Sequence, residues 1–195
     1  MKVIGLTGPT GAGKTTVLDL LKAHGAAVMD CDKIYYEMLK ENEDLRQGLR
    51  DAFGEVFLPD GNLDRRKVAE LVFSNEENLK KLNTLVYYHM GVEIRRRLSA
   101  AKAEGKTLAA VDAINLLQSG LGELCDTTVA VVASEETRLA RIMERDGMDR
   151  ERALSRIRAQ EPEEYFRRHA KIVLENNGTQ EALTAAAKEC LAAYL

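Results

Sequence analysis

The sequence predicts an α/β protein of three layers, a five-stranded parallel sheet held between helices. Three observations lead there. Five short apolar or β-branched runs are spread along the 195 residues, helical patterns fill most of the intervals, and a glycine-rich loop joins the first run to the first helix. Short runs without polar alternation belong to strands covered on both faces, the usual state of a parallel sheet.

The first run, Val3 to Leu6, ends at Thr7 and Gly8, and a helical pattern from Thr15 to Ala23 carries Val17, Leu18 and Leu21. Ala26 to Met29 forms the second strand. From Asp32 to Ala103 the chain holds several helices and no good strand, so this stretch reads as a helical insertion that builds a second site. Its last helix is long: Leu79, Leu82, Val86, Met90, Ile94 and Leu98 recur at steps of three and four behind the capping-box string Ser74-Asn75-Glu76-Glu77. Ala109 to Val111 and Thr128 to Val132 supply the third and fourth strands. Ser134 and two glutamates then open a helix running to about Arg145, and another spans about Asp149 to Gln160. Lys171 to Leu174 is the fifth strand, and a helix from Thr179 to Leu195 follows.

Strands alternating with helices imply right-handed crossovers and a ligand at the carboxyl ends of the strands. The expected organisation is one domain over residues 1–195, with a core of 1–31, 104–137 and 170–195. The helical insertion covers about 32–103, and a helical lid about 138–169.

Hydrophobic residues at 45% suffice for a real core. Lys plus Arg number 28 against 31 Asp plus Glu, a net charge of −3, so no global positive field exists to hold nucleic acid. Cys31, Cys125 and Cys190 stand far apart without a C-x-x-C spacing, which argues against a disulfide framework or zinc cage and for a reducing cytoplasm. No signal-peptide core or membrane-length apolar run is visible, so a cytoplasmic protein without a membrane partner is expected. The sequence leaves the oligomeric state open.

The strongest chemical signal is Gly8-Pro9-Thr10-Gly11-Ala12-Gly13-Lys14-Thr15, a match to G-x-x-x-x-G-K-[ST] directly after a strand and before a helix. Glycines let the backbone curl with its amides inward around a phosphate, and the helix N-terminus adds partial positive charge. Gly8, Gly11, Ala12, Gly13, Lys14, Thr15 and Thr16 form the nucleotide-binding set. Lys14 would reach the β- and γ-phosphates of ATP, and the Thr15 hydroxyl would complete a Mg2+ shell.

Asp30-Cys31-Asp32 follows the second strand, where a carboxylate can take the proton of an acceptor hydroxyl. The alternative for either aspartate is to cap the helix beginning near Lys33. Asp112 ends the third strand as an acidic residue that supports Mg2+ or its waters, or else as a strand-end turn residue. Nine arginines and no lysine lie between Arg138 and Arg168, among seven acids. Planar guanidinium forks suit phosphate, and Arg138, Arg141 and Arg145 share one helix face. Arg145 and Arg141 are the first candidates to touch phosphate, whereas Arg150, Arg152, Arg167 and Arg168 are expected in solvent or beside acids.

With these residues in place, the chain resembles dephospho-coenzyme A kinases over nearly its whole length. The matching pieces are the loop in its Gly5-Leu6-Thr7-Gly8 setting, Asp30-Cys31-Asp32, Phe53-Gly54, and Asp60-Gly61-Asn62-Leu63-Asp64-Arg65. They continue with His89, Asp112, Arg156-Ile157 with Gln160, and Asn176 with Gly178. The resemblance implies a P-loop kinase fold like that of nucleoside monophosphate kinases, with a core, an acceptor-binding helical part and a lid. It implies ATP-dependent phosphorylation of the ribose 3′-hydroxyl of dephospho-coenzyme A, the last step of coenzyme A synthesis. Carried over by position, Lys14 and Thr15 take the phosphate and Mg2+ roles, Asp32 is the base, Arg145 belongs to the ATP lid, and Asn176 lies near the adenine.

The chain departs from the family pattern on the acceptor side. Tyr36 stands where an arginine is common, Met90 follows His89 in place of proline, and Ile114 and Gln118 replace a proline-led run and its downstream acid. Lys171 replaces an aspartate. Two alternatives remain at this level: a related small-molecule kinase with another acceptor, and an ATP-binding regulatory module with none. Cys31 is expected to pack as a small buried side chain, and His24 and His169 to lie at the surface.

Overall fold

The computed structural model describes residues 1–73 and 75–195. Five parallel strands, β1 (Lys2–Thr7), β2 (Ala27–Asp30), β3 (Leu108–Asp112), β4 (Thr127–Val132) and β5 (Ile172–Glu175), stand in the order β2-β3-β1-β4-β5. The expected runs each gain or lose a residue at the ends, where pairing, not apolarity, sets the limit. β1 pairs with β3 on one side and β4 on the other, so the strand order reverses at β1. Its carboxyl end is therefore the topological switch point, and the glycine-rich loop leaves from it.

The sheet is covered on both faces. Ile4 and Leu6 of β1 and Val129 and Val131 of β4 join the apolar sides of α1 (Lys14–Ala23) and α9 (Gln180–Leu191) in one buried cluster. The alternate residues Ala130 and Val132 point the other way and meet Phe166 of α8 (Glu163–His169). That helix was absent from the sequence expectation, which assigned 138–169 as a whole to a lid. With Phe166 only 1% exposed against β4, α8 is part of the layered core. The two helices before it, α6 (Glu135–Asp146) and α7 (Arg150–Arg158), share a smaller cluster of Leu139, Ile142, Ala153 and Ile157.

The chain divides into two compact units, Met1–Met29 with Leu98–Leu195, and Asp30–Arg97. The second holds α2 (Cys31–Glu41), α3 (Glu43–Phe53), α4 (Arg65–Phe73) and most of the long α5 (Glu76–Ala103). Between α3 and α4 the backbone doubles back: Phe57 bridges Leu63 in antiparallel fashion, and Leu58 N donates to Asn62 O at 2.8 Å. Asp64 then caps α4 by accepting from Lys67 N at 3.0 Å. Of the capping string proposed for α5, Ser74 lies outside the described residues; the Asn75 side chain accepts from Asn78 N at 3.1 Å and does the capping. Cys31 is buried, and His24 and His169 are exposed.

Candidate active site

The site begins with the loop after β1. Gly8 has φ +132 and Gly13 φ +98, backbone conformations strained for residues that carry a Cβ. Close packing adds to this: a Cβ on Gly8 would lie 2.1 Å from Val131 O, and one on Gly13 2.2 Å from Asn176 Nδ2. The loop turns back through Ala12 N donating to Pro9 O, and Thr16 N donates to Gly13 O as α1 starts, both at 3.2 Å. Lys14 Nζ donates to Gly8 O at 2.9 Å, so the cation lies across the curl.

The N-terminus of α1 differs from those of α2, α3, α6, α7 and α9. Each of those is capped by a side chain that accepts from the first turn, whereas α1 has no side-chain cap and no acid in its first turn. Without a side-chain cap, the positive end of its dipole is open to an anion.

Three side chains from distant sequence hold the loop from behind. Asn176, 6% exposed, donates through Nδ2 to Ala12 O at 2.8 Å. Arg138, 4% exposed, donates through Nε to Thr10 O at 2.9 Å, while Thr10 N donates to Gln160 Oε1 at 2.9 Å. Thr10 is thus clamped through both of its backbone groups. Burial pulls the Arg138 pKa below the usual guanidinium value, with Glu163 and Glu135 acting in the opposite direction. The arginine ranking from sequence passed over this residue. Helix spacing shows that three arginines share a face, but not that the first of them is buried under the loop.

Along that face the environment changes by steps. Arg141 reaches Gly11 O and Asn176 Oδ1, both at 3.4 Å, so its side chain borders the loop. Arg145 lies one turn further out, 58% exposed, with Nε and Nη2 on the Asp146 carboxylate at 2.7 and 2.8 Å. Asp146 also accepts from Arg156 at 2.8 Å. Arg152, Arg167 and Arg168 pair with acids as expected, and Arg150 is exposed. Asn176, which the resemblance placed near adenine, spends its amide on the loop backbone.

Asp112 ends β3 in register with Leu6, with Ala113 N donating to Leu6 O at 3.1 Å. This half-buried carboxylate therefore stands at the carboxyl edge of β1's neighbour. Thr15 is exposed in the first turn of α1. A threonine hydroxyl and one carboxylate are hard oxygen donors, which fits Mg2+ when phosphate oxygens and water supply the other positions. Among the described residues no group of three or more acidic, His or Cys side chains could hold a metal by itself.

The aspartate pair after β2 resolves into two roles. Asp30 is the N-cap of α2, its carboxylate accepting from Lys33 N at 3.1 Å. Asp32 lies in the first turn, exposed and relieved of capping. Helix start and strand end coincide here, and one carboxylate suffices for the cap.

The family model for dephospho-CoA kinase matches residues 2–182 of this chain. The chain belongs to the dephospho-CoA kinase family. A dephospho-CoA kinase of Corynebacterium glutamicum is 35% identical over 193 residues, covering 98% of this chain and 96% of the relative. One from Arabidopsis thaliana is 35% identical over 184 residues, covering 94% and 79%. Among solved structures, TT1252 from Thermus thermophilus superposes with a TM-score of 0.79 at 38% identity, covering 100% of this chain and 98% of that one. This kinase therefore phosphorylates dephospho-CoA in coenzyme A biosynthesis, with ATP as the other substrate. No described helix is long and apolar enough to cross a membrane.

Proposed function

We propose that this kinase transfers the ATP γ-phosphoryl group to the ribose 3′-hydroxyl of dephospho-CoA with Asp32 as the base and the loop Gly8–Thr16 as the phosphate cradle. The carrying observation is the loop itself, curled by Gly8 and Gly13, clamped by Arg138, Gln160 and Asn176, and leading into an uncapped helix N-terminus.

The hydroxyl proton passes to the Asp32 carboxylate as the ribose oxygen attacks the γ-phosphorus. The bond from that phosphorus to the β,γ-bridging oxygen breaks, and its electron pair leaves with ADP. Lys14 releases the Gly8 carbonyl and places its charge on the β- and γ-phosphates, where negative charge builds on the bridging oxygen. The loop backbone from Gly11 to Thr16 holds the phosphate chain in line, the Ala12 and Thr16 amides turning from Pro9 O and Gly13 O to the phosphate oxygens. Arg141 and Arg145 neutralise the transferring group, Arg145 exchanging Asp146 for phosphate oxygen as its helix face closes over the nucleotide. Thr15 and Asp112 would hold Mg2+, which would supply neutralisation of the phosphate charge when bound. Asn176 touches the nucleotide only through the loop it braces. A cytoplasmic enzyme agrees with three free cysteines.

Asp32→Asn tests the assignment. Turnover in an ADP-release assay with dephospho-CoA should fall about a hundredfold or more, the size expected on losing a general base, while ATP affinity holds. Unchanged turnover would remove Asp32 from the mechanism. ADP release by the unaltered protein that ignores every acceptor would remove the transferase reading as a whole.

A further inference from the structure

Three residues of α2 form an exposed stripe at four-residue steps: Asp32, Tyr36 and Lys40. Side chains at this spacing lie one above the other on a helix, each step advancing about 6 Å along the axis. A ligand in contact with Asp32 and running along the helix therefore meets an aromatic ring and then an ammonium group.

A second cation joins the stripe from α4. The Arg65 guanidinium sits over the Tyr36 ring, 4.7 Å from its centroid. Tyr36 is 45% exposed despite this cover. Most other arginines of the same unit are neutralised, Arg46 and Arg50 by Glu43, Arg66 by Glu70, Arg96 and Arg97 by Glu93; Arg95, on α5, is the exception. Among the described residues no carboxylate pairs with Arg65 or Lys40.

These cations border space. A cavity of about 340 Å³ is lined by Tyr36, Leu39, Lys40, Asn62, Leu63 and Arg65. A neighbouring one of about 250 Å³ shares Tyr36, Leu63 and Arg65 and extends to Val72 and Phe73. Phe73 is 85% exposed, an apolar surface that is costly to leave in water. Positive charge at the junction with apolar walls beyond it complements one part of the acceptor, a pyrophosphate continued by a long, weakly polar chain.

We propose that Arg65, stacked on Tyr36, together with Lys40, grips the pyrophosphate of dephospho-CoA and directs its pantetheine arm into the Leu63 cavities. This rests on Asp32 meeting the ribose hydroxyl, because the stripe then sets the arm's direction. The contact with the ring restrains the guanidinium before the ligand arrives, so less side-chain freedom is lost on binding. These residues select acceptors carrying the arm and take no part in the chemistry.

The test uses 4′-phosphopantetheine, the arm without adenosine, as a competitor of dephospho-CoA at fixed ATP. It should compete in the unaltered protein. Absence of competition overturns the proposal. Arg65→Gln should raise the KM and the equilibrium Kd for dephospho-CoA by about tenfold or more, the loss expected when charge-assisted hydrogen bonds go. The effect should fall on KM far more than on kcat, with the ATP Kd unmoved and partial rescue in Arg65→Lys. A dephospho-CoA Kd within twofold of the original, or an equal loss of ATP binding, refutes it. Lys40→Gln, at an exposed position without a described partner, gives the same test if the Arg65 variant folds poorly; its Kd should rise several-fold. Asp32→Asn should leave 4′-phosphopantetheine competition intact. Full turnover in that variant sinks the base assignment, whereas loss of the arm's affinity for Arg65 is read from binding alone.

Discussion

Gly13 and Asn176 should behave as one unit, and a double-mutant cycle can show it. Asn176→Ala removes the amide that donates to Ala12 O at 2.8 Å in a buried setting. A buried carbonyl left without a donor costs about 1–3 kcal/mol, so about 2 kcal/mol is expected here. For a chain of this size that lowers Tm by roughly 4–8 °C. Gly13→Ala meets two penalties. An alanine at φ +98 costs about 1–2 kcal/mol in backbone strain. Its Cβ would also fall 2.2 Å from Asn176 Nδ2, which forces the amide out of its hydrogen bond and incurs the same penalty of about 2 kcal/mol. The singles then cost about 3–4 and about 2 kcal/mol, and independent effects would sum to about 5–6. With the asparagine already gone the steric penalty disappears, so the double variant should cost about 3–4 kcal/mol, a coupling of about 2. Urea unfolding of the four proteins measures it. Additivity within about 0.5 kcal/mol would mean that the loop and the asparagine are not in contact in solution, and the clamp argument would fail.

Two further outcomes follow from titration. Glu93 accepts from Arg96 and Arg97, and the Arg96 hydrogen bonds lead in holding its carboxyl at about 2 against burial. A depressed acid contributes stability above the ordinary carboxylate range and loses it as pH falls from about 4.5 toward 2. Screening at the exposed Arg96 limits the contribution to about 1–2 kcal/mol. Urea unfolding of the native protein and Glu93→Gln at pH 6 and pH 3 should show the native protein losing more, and equal losses would contradict the pairing. Burial pushes the Cys125 thiol up to about 12, with the Asp126 charge adding to it. Iodoacetamide at pH 8 should therefore label exposed Cys190 and spare Cys125 until the chain is unfolded, as peptide mapping would show.

The parts of the fold readable from sequence are those whose burial leaves a pattern. β1, β3 and β4 are buried on both faces and appear as unbroken apolar runs, and α5 is long enough for its period to declare itself. α8 leaves no such mark: its seven residues bury one large side chain, Phe166, among arginines and glutamates that the sequence shows only as charge. The glycine-rich loop was legible as a motif because its geometry is local. What fastens it was not. Ala12 and Asn176 are 164 residues apart, and Thr10 and Gln160 are 150 apart. Such contacts follow from the order of the strands, which no local pattern contains.

That arrangement decides how the glycine-rich loop is kept in shape. A loop with three glycines has high conformational entropy when free, and holding it costs about 1–2 kcal/mol per residue before any ligand contributes. Its own short hydrogen bonds, Ala12 to Pro9 and Thr16 to Gly13, are few and 3.2 Å long. The remaining order must come from outside, and it comes from α6, the end of α7 and the residue after β5, which each deliver a buried or half-buried polar group to a loop carbonyl or amide. Helix α6 bears both the clamp, Arg138, and the outward arginines, Arg141 and Arg145. The proposed closure of its outer end over ATP would be referenced to a fixed point, Arg138 under the loop. Loosening Arg138 should accordingly disturb nucleotide binding and the delivery of Arg145 together, whereas loosening Arg145 should disturb only the second.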